Sequence, residues 1–216
     1  LKFVYRDDSD LSVIDEFFVC KMYRTIKLQI QNSKFQILDI GAHIGVFSIY
    51  ASVINPQSQI IALEPEPNNF ELLKTNLGLN HCSNVKAIRT ALVAGKESNT
   101  KLRISKNTHN HSTTSLRGAP TQGRDDAAIQ SPTIIVPAIN LEQLMKKYKI
   151  KKIGLLKMDI EGAEFVILQS FNLTVFKKIQ NIAVEYHESN NHKHPALDAS
   201  IRERGFSVEH FPNKFD

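Results

Sequence analysis

Six side chains in this sequence have types and positions that could do chemistry together: Asp39, Glu64, Asp159, Glu161, Glu185 and His187. Each falls at or just past the carboxyl end of a short apolar run. Carboxylates in such places can accept hydrogen bonds from hydroxyls, offset a cationic ligand, or take a proton. A histidine changes charge near working pH and so suits proton transfer. A substrate hydroxyl needs such a base, because it is a poor nucleophile while it keeps its proton.

The first of these groups opens the turn Asp39-Ile40-Gly41-Ala42-His43-Ile44-Gly45. Gly41 permits a positive φ or a close backbone approach, and Gly45 lets a following helix pack tightly. N–H groups at that helix start would face the space above the strand ends, where open α/β sheets bind ligands. Glu64 ends the next apolar run, 19 residues beyond Gly45, where a carboxylate can accept both hydroxyls of a ribose. A dinucleotide site calls for G-x-G-x-x-G, whose middle glycine lets the backbone approach a pyrophosphate. Here that position is His43, and the later glycine comes one residue early at Gly45. S-adenosylmethionine has no phosphate and carries a sulfonium and an ammonium, which favour a nearby carboxylate such as Asp39. The spacing therefore points to S-adenosylmethionine rather than NAD, with Asp39, Gly41 and His43 around the methionine part.

The second group runs Lys157-Met158-Asp159-Ile160-Glu161-Gly162-Ala163-Glu164, and the third Glu185-Tyr186-His187. Both fall on the edge that holds Gly41 and Glu64. Gly162 allows a sharp turn into a helix, and part of the acidity, Glu164 above all, suits the positive helix start. His187 or Asp159 is expected to take the proton of an acceptor hydroxyl, with Glu161 and Glu185 lining the same pocket. These oxygen and nitrogen donors could also hold a divalent metal, but nothing in their spacing requires one and no metal site is assigned. His109, His111, His192 and His194 fall in polar stretches and read as solvated side chains.

Positioning these groups requires a set of alternating elements. Apolar runs at 36–40, 59–63, 85–92, 153–160 and 181–187 read as strands, with a last one at 205–211. Helical spacing occupies 46–54, 68–79, 163–171 with a restart towards 179, and 196–204. Unalternated strands separated by helices imply a mainly parallel sheet covered on both faces, and a doubly wound α/β order leads. Residues 1–35 form an N-terminal helical lead-in packed on the core, with Leu11, Ile14, Phe17 and Phe18 at helical spacing after the cap candidates Ser9 and Asp10. Residues 36–216 form the ligand-binding domain. A polar insertion at 98–133 has the composition of a lid or a disordered segment, with Leu102 and Ile104 suggesting a short edge strand.

Composition narrows the rest. The chain has 216 residues, 42% hydrophobic and 23% charged, with a net charge of +5. These are values of a globular domain. No apolar run is long enough to span a bilayer, and the start lacks a signal-peptide layout. The chain starts at Leu1, and its length leaves open what lies outside 1–216. Cys20 and Cys82 lack metal-ligand spacing and read as reduced thiols in a cytoplasmic protein. The lysines at 146, 147, 149, 151 and 152 read as a solvated face beside a helix end. Without Trp or aromatics interleaved with basic residues, no nucleic-acid partner is expected.

Several blocks together resemble one family, the FkbM-type methyltransferases. Ile37 through Ser48 is similar to its first motif, and Ala62-Leu63-Glu64-Pro65-Glu66-Pro67 with Asn69, Asn76 and Leu77 to its second. Leu156 through Glu164 is similar to its most recognisable signature, and Val184-Glu185-Tyr186-His187 to its fifth-strand ending. Arg6 with Ser9-Asp10, and Ser115-Leu116, also look like family features. The family commonly has Asn at the place of His43 and Leu-Asp-x-Leu at the place of 141–144. The resemblance implies a class I, Rossmann-like methyltransferase fold of the seven-stranded type. It also implies methyl transfer from S-adenosylmethionine to a hydroxyl of a sugar, glycan or secondary metabolite. The cofactor residues it implies are Asp39, Gly41, Ala42, His43, Gly45, Glu64, Pro65, Ala91 and Asp159, and the catalytic ones Asp159, Glu161, Glu185 and His187. A nicotinamide oxidoreductase and a non-catalytic binding module of this fold are the rival readings.

Overall fold

Five of the apolar runs pair side by side as one parallel sheet. The computed structural model describes residues 1–19, 35–104, 112–114, 132–186 and 194–210. Helix α1 (Asp8–Val19) precedes β1 (Gln36–Ile40), α2 (Val46–Ile54), β2 (Gln59–Leu63), α3 (Pro67–Leu79) and β3 (Val85–Ile88). Next come the short strands β4 (Ala91–Leu92), β5 (Asn99–Arg103), β6 (Ser112–Thr114) and β7 (Thr133–Ile139). The chain continues through α4 (Leu141–Lys147), β8 (Leu155–Met158), α5 (Glu164–Ser170), α6 (Leu173–Phe176), β9 (Ile182–Val184) and α7 (His194–Glu203). The strand order β3-β2-β1-β8-β9, all parallel, reverses direction of growth at β1. That reversal between β1 and β8 is where a doubly wound sheet opens a crevice at its carboxyl edge.

Alternation along each strand divides the core in two. Leu38, Ile40, Ile61, Leu63, Leu156 and Met158 pack with residues of α4, α5, α6 and α7. Ile37, Ile60 and Leu155 face the other way, against Phe17 of α1 and Val46, Phe47 and Ala51 of α2. Burial on both sheet faces explains the unalternated apolar runs. Phe17 makes edge contacts with Phe47 and Tyr50, which seats α1 on α2. The cap of α1 is Asp7 rather than Ser9 or Asp10: its Oδ1 accepts from the Ser9 and Asp10 amides at 3.0 and 3.1 Å. Helix α4 starts with a reciprocal cap between Asn140 and Gln143, so the departure from Leu-Asp-x-Leu keeps a defined helix start.

Three expectations need correction. The run 85–92 is two strands, because the chain leaves the parallel sheet at Arg89-Thr90 and Ala91 pairs instead with Ala138 of β7. The last strand expected at 205–211 is not formed over 205–210. Gly205, at φ +92°, turns the chain there, and the Arg202 side chain takes the Val208 carbonyl that a ladder would use. Phe211 lies outside the described residues. Among the described residues the seven-stranded count therefore becomes five parallel strands plus a second sheet of order β4-β7-β5-β6. The polar insertion supplies part of that second sheet: β5 pairs antiparallel with β7 and β6, burying Leu102 and Val136.

Candidate functional site

At the end of β1 the chain turns through Gly41 at φ +79° and His43 at φ +49°, and reaches α2 through Gly45 at φ +95°. Gly41 is fixed from both sides. Its amide and that of Ala42 donate to the Leu63 carbonyl at 3.0 and 2.9 Å. A Cβ at Gly41 would lie 1.8 Å from the backbone oxygen of Asp159. A Cβ at Gly45 would meet Leu73 of α3 at 2.7 Å. Both glycines are thus demanded by conformation and by packing together.

Glu64 completes this side. Its Oε2 accepts from the His43 amide at 2.8 Å and its Oε1 from the Glu66 amide at 2.9 Å. Burial pushes its pKa above the ordinary carboxylate value, against the pull of His43 and these two amides. Glu66 belongs to the scaffold, since its side chain caps α3 by accepting from the Asn69 amide.

Beneath the turn sits a line of charged groups. Asp39 is fully buried; Ser48 Oγ donates to its Oδ2 at 2.6 Å, and Lys157 Nζ is 3.4 Å from its Oδ1. Lys157 Nζ also donates to the Gly41 carbonyl at 3.0 Å and lies 3.5 Å from Asp159 Oδ2. Asp39 and Lys157 are register partners on adjacent strands, so alternation sends both towards α2.

The far wall comes from β8 and β9. Glu161 holds φ +55° and Gly162 φ +98°, and the turn is closed by the buried Glu164. Glu164 Oε1 accepts from the Ile160 amide at 3.1 Å, and Oε2 from the Gly162 amide at 2.9 Å. Its carboxylate therefore braces the turn that precedes α5, while Asp159 and Glu161 line the cleft.

One cleft collects these groups. Gly41, Ala42, His43, Glu64, Pro65, Ala91, Asp159, Glu161 and Glu185 all line it, with Lys157, Asn69, Thr90 and the apolar Phe47, Leu63, Leu92 and Leu102. Two predicted residues do not: Gly45 supports the turn from behind, and Asp39 lies below it, in contact with Lys157. His187 follows Tyr186 directly and lies outside the described residues, as do Cys20, His109, His111, His192 and Ser115-Leu116. Among the described residues no group of three or more His, Cys, Asp or Glu is arranged to hold a metal, and no helix is long and apolar enough to cross a membrane.

Helix α1 contributes more than the sequence suggested. Val13 and Phe17 line the cleft, and the fully buried Asp10 stands 3.3 Å from His43 Nε2. Arg6 grips Asp10 with two side-chain bonds of 2.8 and 2.9 Å and reaches Asn69 Oδ1. Burial alone would raise the Asp10 pKa, but the hydrogen bonds from Arg6 and the nearby His43 outweigh it and hold the carboxyl well below its usual range. Lys157 was also missed as a site residue. An isolated lysine in an apolar strand was the available signal, since lysine is almost never buried unless paired.

The family described as Methyltransferase FkbM domain matches residues 39–208, from the turn after β1 to beyond α7. Methyltransferase sdnD of Sordaria araneosa is 28% identical over 193 residues, covering 80% of this chain and 73% of its own length. Methyltransferase 1 of Beauveria bassiana is 28% identical over 181 residues, covering 80% and 72%. The solved precorrin-6y C5,15-methyltransferase of Geobacter metallireducens aligns with a TM-score of 0.49 at 14% identity, over 87% of this chain and 72% of that one.

Proposed function

This chain belongs to the FkbM methyltransferase family, and from that premise we propose that it methylates a hydroxyl on a sugar, glycan or secondary metabolite, using S-adenosylmethionine. One observation carries the reading: the cofactor-side groups Gly41, His43 and Glu64 and the far-wall groups Asp159, Glu161 and Glu185 line the same cleft. The donor set fits an adenosyl ligand. Glu64 offers a buried carboxylate, the walls at Ala91, Leu92 and Phe47 are apolar, and His43 Nδ1 is buried without a hydrogen-bond partner among the described residues. When bound, S-adenosylmethionine supplies the electrophilic methyl group.

The chain's own residues do the rest. Glu64 accepts the ribose hydroxyls, Ala91 and Pro65 flank the adenine, and His43 with the Gly41-Ala42 backbone holds the methionine part. Asp39 acts through Lys157, not by direct contact. Asp159 or His187 takes the acceptor proton, and Glu161 and Glu185 orient the acceptor. Positioning would supply much of the acceleration, because in-line transfer needs the reacting atoms pre-aligned. We assign 36–216 to the catalytic domain and 1–35 to a lead-in whose helix walls the cleft. The proposed setting is cytoplasmic, in keeping with the free, buried Cys82.

The test is transfer of labelled methyl from S-adenosylmethionine to panels of sugars, glycans and hydroxylated metabolites. Labelled O-methyl product that disappears in Asp159→Ala is expected. Label appearing only on amines or carbon would contradict the hydroxyl assignment.

A further inference from the structure

Lys157 presents a puzzle of charge. The cleft is read as holding a cationic methyl donor, yet its floor carries an ammonium that is 4% exposed and lines the cleft. A buried charge is costly unless paired, and here two carboxylates stand beside it. Nζ lies 3.4 Å from Asp39 Oδ1 and 3.5 Å from Asp159 Oδ2, and donates to the Gly41 carbonyl. The three side chains together carry one net negative charge. Removing the lysine would leave two carboxylates, and removing Asp159 would leave none in excess. In a site shielded from solvent, a step of one charge is felt strongly by a charged ligand and weakly by a neutral one.

The proposed reaction changes the ligand's charge by one unit. The methyl carbon–sulfur bond breaks with its electron pair left on sulfur, and a carbon–oxygen bond forms. The hydroxyl proton goes to the base, so the sulfonium becomes a neutral thioether. We propose that Lys157 is a specificity-determining residue: it holds the floor at one net negative charge and thereby sets the preference for S-adenosylmethionine over the product S-adenosylhomocysteine. This rests on the assignment of the cleft to that cofactor. A lysine that only braced the turn would, when lost, weaken both ligands alike.

Calorimetric titration of the full chain with each ligand, at one fixed pH, separates the two roles. The quantity read is the S-adenosylhomocysteine Kd divided by the S-adenosylmethionine Kd. Lys157→Met is expected to raise that ratio roughly threefold to tenfold, and Asp159→Asn to lower it by a similar factor. Lys157→Arg, which keeps the charge, is expected to hold the wild-type ratio. Should Lys157→Met not fold, the half-exposed Asp159 site still gives the opposite shift in Asp159→Asn. Unchanged ratios in the folded variants, even with both affinities weakened, would overturn the proposal. Wild-type protein binding neither ligand would instead overturn the cofactor assignment itself, and this inference with it.

Discussion

The two walls of the cleft are built by different means. On the β1–β2 side the backbone does the work. Gly41 is wedged against the Asp159 carbonyl, its amide is tied to Leu63, and Glu64 is clamped between two amides. On the β8–β9 side the work falls to side chains. Asp159 is 31% exposed, Glu161 holds a strained positive φ, and Glu185 is half-buried. A wall fixed by backbone suits a ligand that never changes, and a wall of side chains can be retuned for different acceptors. The contrast predicts where substitutions should abolish cofactor binding and where they should leave it in place.

The sharpest break in that contrast is Gly41→Ala. Its Cβ would overlap the Asp159 carbonyl at an unfavourable φ, so a loss of about 3 kcal/mol or more of stability is expected. Thermal melts should show it, together with loss of cofactor affinity. By contrast, His187→Ala should lower kcat by about 100-fold or more while the S-adenosylhomocysteine Kd stays at the wild-type value. Unchanged turnover would remove His187 from the mechanism.

An intermediate effect is expected at Glu64. Glu64→Gln should weaken S-adenosylhomocysteine by about tenfold, the worth of one hydrogen bond to a charged group. Because burial raises its pKa in the folded chain, the native state holds that proton more tightly than the unfolded one. The resulting stabilisation is present below the ordinary carboxylate range and is lost as pH rises through the raised value. Ligand affinity should run the other way, strengthening as the carboxylate ionises. A titration series from about pH 5 to about pH 8 should show this slope in the wild type and a flat line in Glu64→Gln. The smallest effect is expected at Glu161→Gly, which removes a positive-φ penalty and should stabilise by about 1 kcal/mol. It should also weaken acceptor KM, and a melt with no gain would argue against strain at that turn.

Much of this was legible in the sequence because the signals are local. The β1 turn, Glu64 and the Asp159–Glu164 block each follow an apolar strand and sit where a parallel sheet must open. What was not legible depends on long-range pairing. Nothing local in 85–92 says that the chain changes sheets at Arg89, since Ala91 pairs with a strand that arrives more than 40 residues later. Strand β7 contains Pro137, which reads against a strand, and it follows a polar stretch that hides its register. Asp39 was given to the ligand because its position suits a counter-charge, but only the packed sheet shows it turned towards Lys157 and Ser48. The Arg6–Asp10–His43 chain likewise joins the start of α1 to the first motif, through a helix whose docking no sequence periodicity specifies.

The central claim is that the Gly41–Glu64 edge binds S-adenosylmethionine. It is tested most directly by calorimetry with S-adenosylhomocysteine and, separately, NADH, on the wild type and Glu64→Ala. The account predicts saturable binding of S-adenosylhomocysteine to the wild type, marked weakening in Glu64→Ala, and no binding of NADH. Binding of NADH alone, or equal S-adenosylhomocysteine affinity in the two proteins, would contradict it.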